Sequence, residues 1–340
     1  MRKGILAAGN WIIDKVKILD TLPERGMLGS ILDETTGNGG APYNVLMDLS
    51  RMNVSFPLYG CGVIGKDSNG DYILNDLKKN NIDSTYIFQS AAAPTSYTDV
   101  MTDKETGDRT FYHCRGANAL LDINHFTDIH CDAKIFHLGY LLLLDKLDSP
   151  DKDYGVVSAR ILDMMQKKGF KTSVDVVSES GDRFQRLVTP ALKYINYLIL
   201  NEIEAERITG TKIRDGNSIN ASELGQAVHL LLEKGVQDLV VVHFPEGGYA
   251  MTKEGSEYFM PSFLVQNNEI KGTVGAGDAF CAGILYALHE NINMDQALKI
   301  ANANARFNLL HPTSSGGAVE INKINEFIQQ GILREPVIKL

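Results

Sequence analysis

From about residue 40 onward, apolar positions recur alternately at helical and at strand spacing. Val45, Leu49 and Met52 share one helical face, and the strand-like run Val54 to Tyr59 follows. Ile73, Leu74 and Leu77 mark a second helix; Val157, Ile161, Met164 and Met165 mark another, leading into a strand from Thr172 to Val177. Tyr194 to Leu200 reads as a central strand, and the helix carrying Leu224, Val228, Leu231 and Leu232 leads into a strand at Leu239 to Val242. Gly4 to Gly9 reads as the first strand. This βαβαβα order predicts an α/β fold: a mainly parallel sheet covered by helices on both faces.

Two segments depart from that rhythm and alternate with period two, one over about 12–36 and one over about 95–115, with Glu105-Thr106-Gly107 as a turn between extended arms. If they pair, they form one small sheet projecting from the main body, a β-lid; surface hairpins would carry the same pattern. No low-complexity tract, linker or fixed-period repeat divides the chain. Residues 1–340 are therefore expected to form a single domain with the lid inserted in it.

Composition changes this picture only at the level of partners. With 44% hydrophobic and 22% charged residues the chain is an ordinary folded protein, and 42 acidic against 33 basic residues give a net charge of −9. Such a field repels nucleic acid, yet a helix N-terminus or a bound cation can still hold one small anion. The four cysteines, Cys61, Cys114, Cys131 and Cys281, are widely separated and form no CxxC pair, so they read as reduced thiols rather than a zinc or disulfide framework. No run approaches the roughly 18 apolar residues of a membrane helix. The apolar stretch after Arg2 and Lys3 is interrupted at Asn10 and Asp14, without a cleavage site, and reads as a strand rather than a signal peptide. A cytoplasmic location is expected, with no membrane partner.

Four stretches carry chemistry. In Gly272-Thr-Val-Gly-Ala-Gly-Asp278, directly before the helical run Ala279 to Leu288, glycines 275 and 277 let the backbone turn tightly, so the amides of Gly275, Ala276 and Gly277 open at a helix start as an anion hole. Asp278 at its rim is placed to take a proton from a hydroxyl attacking a phosphoryl group, although a lone GxGD is also a common capped turn. Asn201-Glu-Ile-Glu204 follows the strand ending at Leu200, where open α/β sheets bind ligands, and Glu204 can hold Mg²⁺ through water. The bland reading there is acids favoured in a helix's first turns. Gly37-Asn-Gly-Gly-Ala-Pro-Tyr-Asn44 permits close backbone approach at Gly39 and Gly40, and Asn44, with Asp14 on the first strand, suits sugar hydroxyls. The weakest stretch, His243-Phe-Pro-Glu-Gly-Gly248, is a loop placed to border a nucleotide.

In this order the stretches resemble the PfkB carbohydrate kinase (ribokinase-like) family over nearly the whole chain. Gly39-Gly40 through Gly60 to Gly70 looks like its N-terminal signature, and Thr273 to Leu288 like its C-terminal one. The resemblance implies a ribokinase-like three-layer sandwich and an ATP-dependent kinase acting on a hydroxymethyl group of a sugar or nucleoside. Asp278 would be the general base, with Asp14, Gly39, Gly40 and Asn44 on the substrate side. Arg115 at the end of the lid segment would be a substrate contact. Asn201 and Glu204 would order Mg-ATP, with His243, Gly248 and Asn302 as further ATP contacts. A lid closing over the sugar would exclude water, and in many relatives it serves as a homodimer interface.

Departures sharpen the expectation. Gly272 stands where the family has an Asp that helps hold a monovalent cation, so a K⁺ requirement stays open. His243-Phe244-Pro245 replaces a Thr-x-Gly loop, and Ala41-Pro42 after the paired glycines looks like the fructokinase branch, which points first to a neutral hexose such as fructose. Two rivals are a catalytically impaired sugar-binding regulator of the same fold and an NAD-dependent dehydrogenase. The second fails because no GxGxxG follows an early strand.

Overall fold

The computed structural model of the chain describes residues 2–178, 181–216 and 218–338. Its main sheet has nine strands in the order Glu257–Pro261, Gly247–Thr252, Leu239–Phe244, Tyr197–Asn201, Lys171–Val176, Ile135–Leu141, Ile5–Ala8, Leu58–Gly65, Asp83–Ser90. The last seven of these pair in parallel, and the first two return antiparallel at one edge. Buried alternation explains the layering. In Ile5–Ala8, Ile5 and Ala7 join one apolar core while Leu6 and Ala8 join the other. The helices Ala41–Arg51, Ala276–Glu290 and Met294–Leu309 cover the first core, and Val157–Lys167 and Ala221–Glu233 the second. This is the expected three-layer α/β sandwich.

The chain lays Leu58–Gly65 and Asp83–Ser90 on one side of Ile5–Ala8, then crosses to place Ile135–Leu141 on the other. Such a switch point leaves a crevice beyond the carboxyl ends of the strands.

The two period-two segments pair into a second sheet in the order Ile31–Gly39, Ile12–Leu19, Tyr97–Asp103, Arg109–Cys114, with a parallel central pair and antiparallel outer pairs. Residues 31–36 are exposed on both faces, so the outer strand stands away from the body. Its inner end runs through Gly40, at φ +95°, straight into the helix Ala41–Arg51. A β-carbon at Gly40 would run into the Asn10 carbonyl oxygen, which explains the glycine.

Four local readings need correction. The strand read over Val54 to Tyr59 begins only at Leu58 and runs to Gly65. Asp14 lies on Ile12–Leu19 of the small sheet rather than on the first strand. The stretch from Thr189 to Tyr194 is a tight 3₁₀ turn, and the central strand begins at Tyr197 rather than Tyr194. Residues 243–248 are a hairpin rather than a loop: His243 pairs with Gly248 and Phe244 with Gly247. No helix among the described residues is long and apolar enough to cross a membrane.

Candidate active site

The N-terminus of the helix Ala276–Glu290 opens onto the crevice. Gly275 caps it at φ +79°, and any side chain there would collide with the Ser314 carbonyl; a β-carbon at Gly277 would press on the His243 ring. The first amides of a helix have no intrahelical acceptor and carry the positive end of its dipole. Gly275 and Gly277 line the resulting cavity of about 180 Å³. Ala276 does not line it; its N–H points back to the Thr273 carbonyl at 3.3 Å. The anion-binding edge thus belongs to the two glycines.

Asp278 is buried at this helix start and held from two sides. Asn44 donates to its Oδ2 at 2.7 Å, and the Tyr140 hydroxyl donates to both oxygens at 3.0 and 3.1 Å. Ser314 donates to Asn44 Oδ1 at 2.8 Å, which fixes the amide so that its nitrogen faces the carboxylate. Burial, and then the charge of Asp175, push the Asp278 carboxyl up to about 7, while the two donors pull the other way. A group so poised is half ionised near neutral pH and can accept a proton.

Opposite the helix end, Asn201 and Glu204 form a reciprocal capping box on Glu202–Thr209: Asn201 Oδ1 accepts the Glu204 amide at 2.9 Å, and Glu204 Oε2 accepts the Asn201 amide at 3.0 Å. Ser178 donates to Glu204 Oε1 at 2.8 Å. Burial still drives the Glu204 carboxyl up to about 8. The cavity is lined by three carboxylates, Asp175, Glu204 and Asp278, and by no lysine or arginine among the described residues. Buried acids that repel one another and lack a cationic partner suit a hydrated divalent cation, so the residues present fit Mg²⁺.

The remaining expected residues divide. On the small sheet, Asp14 stands against Gly39, where a β-carbon would strike its carboxylate; burial lifts the Asp14 carboxyl to about 6 against a Thr98 hydrogen bond, and its charge reaches Asp278. Arg115 does not line the cavity; it is paired with Asp145 at 3.2 Å and donates to the Leu143 carbonyl at 3.3 Å. His243 lines the cavity, stacked on Phe280 at 5.0 Å, and burial lowers it to about 4, so it is neutral. Gly248 does not line the cavity; it gives clearance to the Phe280 ring. Asn302 commits its amide nitrogen to the Met260 and Pro261 carbonyls, holding the edge strand, so only its oxygen is left for a ligand. At Gly272, the carbonyls of His311 and Pro312 lie 3.0 and 3.2 Å from where a β-carbon would be, which leaves little room for a side chain.

Sequence reasoning missed Tyr140 and Asp175. Asp175 receives the Tyr140 amide at 2.6 Å and steadies Tyr140 at φ +59°, aiming its ring at Asp278. The available signal was a single acid in the otherwise uncharged buried run Thr172 to Val176, at the carboxyl end of a strand.

The family model described as pfkB family carbohydrate kinase matches residues 9–320. The chain is 24% identical over 301 residues to the ribokinase of Mus musculus, covering 88% of this chain and 86% of that protein. It is 27% identical over 280 residues to "Probable fructokinase-6, chloroplastic" of Arabidopsis thaliana, covering 78% and 67%. Among solved structures, Arabidopsis thaliana ribokinase complexed with ribose and ATP superposes with a TM-score of 0.78 at 20% identity, covering 97% of this chain and 99% of that one.

Proposed function

The chain belongs to the pfkB family of carbohydrate kinases, and on that premise we propose that it transfers the γ-phosphoryl group of ATP to a primary hydroxyl of a small neutral sugar. It is a carbohydrate kinase of the ribokinase family, a phosphotransferase with an alcohol acceptor. A hexose such as fructose is the first candidate, ahead of ribose, a nucleoside or a sugar acid. That order is supported by Gly39-Gly40-Ala41-Pro42.

The observation that carries the reading is Asp278: a buried carboxyl titrating near 7, held by two donors at a helix N-terminus. Asp278 takes the proton of the attacking hydroxyl while the amides of Gly275 and Gly277 face the charge developing on the phosphoryl group. Asn44 and Tyr140 aim the base. Asp14, Gly39, Gly40 and Asn44 receive the sugar from the small sheet, which acts as a lid, and Arg115 meets it from the end of that sheet. Asn201, Glu204, His243 and the oxygen of Asn302 receive the nucleotide. Glu204 would hold Mg²⁺ through water, and the ion would supply charge neutralisation to the phosphates. The exposed apolar side chains of the small sheet, among them Leu32 at 50% and Phe111 at 57%, support a homodimer through this sheet.

The test is ATP consumption across hexoses, pentoses, nucleosides and sugar acids, with wild type and Asp278→Asn. Turnover should concentrate on one class, and the variant should lose about 10²–10⁴-fold while the same sugar still raises its Tm. Near-normal turnover in the variant would remove Asp278 from the base role. Thermal shifts without any turnover in the wild type would favour the impaired regulator.

A further inference from the structure

Behind the catalytic carboxylate, three side chains from three elements converge in an arrangement that phosphoryl transfer does not call for. His137, fully buried in Ile135–Leu141, contacts Ser173 Oγ through Nδ1 at 3.2 Å. Its Nε2 is buried without a hydrogen-bond partner and faces Asp175 Oδ2 at 3.5 Å, too far for a good hydrogen bond. The other Asp175 oxygen is taken by the Tyr140 amide, so Oδ2 is the one that stays available. Cys281, a buried free thiol, completes the group: one atom from each of His137, Asp175 and Cys281 lies within 4.8 Å of the others.

We propose that His137, Asp175 and Cys281 form a binding site for a borderline-soft divalent cation, with Zn²⁺ the best match. An imidazole nitrogen, a carboxylate oxygen and a thiolate are the donors zinc takes, and three protein ligands leave its fourth position open. Bonds of about 2.0–2.3 Å in a tetrahedron place donor atoms roughly 3.3–3.7 Å apart, so the His137–Asp175 edge is already set and Cys281 needs a shift of about 1.3 Å at most. Ser173 plays the part of the outer partner that orients a metal-bound imidazole. Magnesium prefers the oxygen donors at Glu204, so the two ions sort by donor softness. Binding displaces the thiol proton to solvent. Asp175 and Cys281 line the same cavity as Asp278, so the open position faces the space where the phosphoryl group would pass, and zinc inhibits turnover. That last consequence rests on the kinase reading; binding does not.

Cobalt(II), titrated into the reduced, nucleotide-free full-length protein, tests the site. One equivalent should give a near-ultraviolet thiolate-to-cobalt charge-transfer band with strong tetrahedral visible bands, and zinc should bleach both. Cys281→Ala and His137→Gln should lose them while circular dichroism shows the native fold; Cys281→Ser carries the test if either does not fold. Absence of the band at saturating cobalt, or its survival in Cys281→Ala, overturns the site. In turnover, one equivalent of zinc should lower the wild-type rate about tenfold or more, and the ratio with and without zinc should return close to unity in Cys281→Ala. A cobalt spectrum with zinc-insensitive turnover overturns the position beside Asp278, and an inactive protein leaves the spectra to decide the site alone.

Discussion

At the scale of single residues, the environment of Asp278 sets a pH profile with signs that can be checked. With its carboxyl near 7, kcat/KM should fall on the acid side with a midpoint close to that value. Tyr140→Phe removes a donor that stabilises the carboxylate and should move the acid limb to higher pH. Asp175→Asn removes a like charge and should move it lower. A pH–rate series on the three proteins decides both directions, and shifts of the same sign would contradict the assigned causes. Asp278 and Asn44 were legible because glycine-rich turns before helices expose them by position. The Asn44–Asp278 bond joins residues 234 apart and the Tyr140–Asp278 bond residues 138 apart, and no local period records such a meeting.

At the scale of elements, small residues and caps decide how tightly the site is held. Asn201→Ala opens the capping box on Glu202–Thr209 and should cost about 1 kcal/mol in denaturant unfolding, together with weaker nucleotide binding. Gly283 lies where the helix Ala276–Glu290 crosses Met294–Leu309, and a β-carbon there would sit 2.6 Å from the Ala301 α-carbon. Gly283→Ala should therefore destabilise by roughly 1–3 kcal/mol, read from the urea midpoint. Helices and buried strands were legible from their periods. The hairpin at residues 243–248 was not, because a two-residue turn at Pro245-Glu246 leaves no polar loop and its glycines mimic one.

For the whole molecule, buried acids make stability depend on pH in the absence of ligands. Asp278 near 7 and Glu204 near 8 bind protons in the folded state that the unfolded chain, with carboxyls near 4, has released. Their stabilising contribution is complete below about pH 4 and is lost as pH rises through those values, so Tm should fall from about pH 6.5 to about pH 8 and level off above it. His243, lowered by burial from 6.5, adds stability with rising pH only below that value and leaves this window to the acids. Glu204→Gln should flatten the slope, and a Tm that rises over the same interval would contradict it. The exposed side chains of the small sheet make a second expectation at this scale. The protein should sediment as a dimer, and Phe111→Glu combined with Leu32→Glu should yield monomers. The fold class was readable in full from the alternation of periods, whereas the standing-off of the small sheet depends on tertiary exposure that period two cannot distinguish from a surface hairpin.

One joint ties these scales together. Gly40 alone separates the last strand of the small sheet from the helix whose first turn carries Asn44, and Asn44 grips Asp278. Any tilt of that strand over a bound sugar is therefore passed along a rigid lever to the base, without an intervening loop to absorb it. Contact with the acceptor and the aim of the proton acceptor are thus linked through one joint. The yield of such an enzyme is protected at that joint: slack introduced there would show first as ATP hydrolysed to no purpose, before any slowing of sugar phosphorylation.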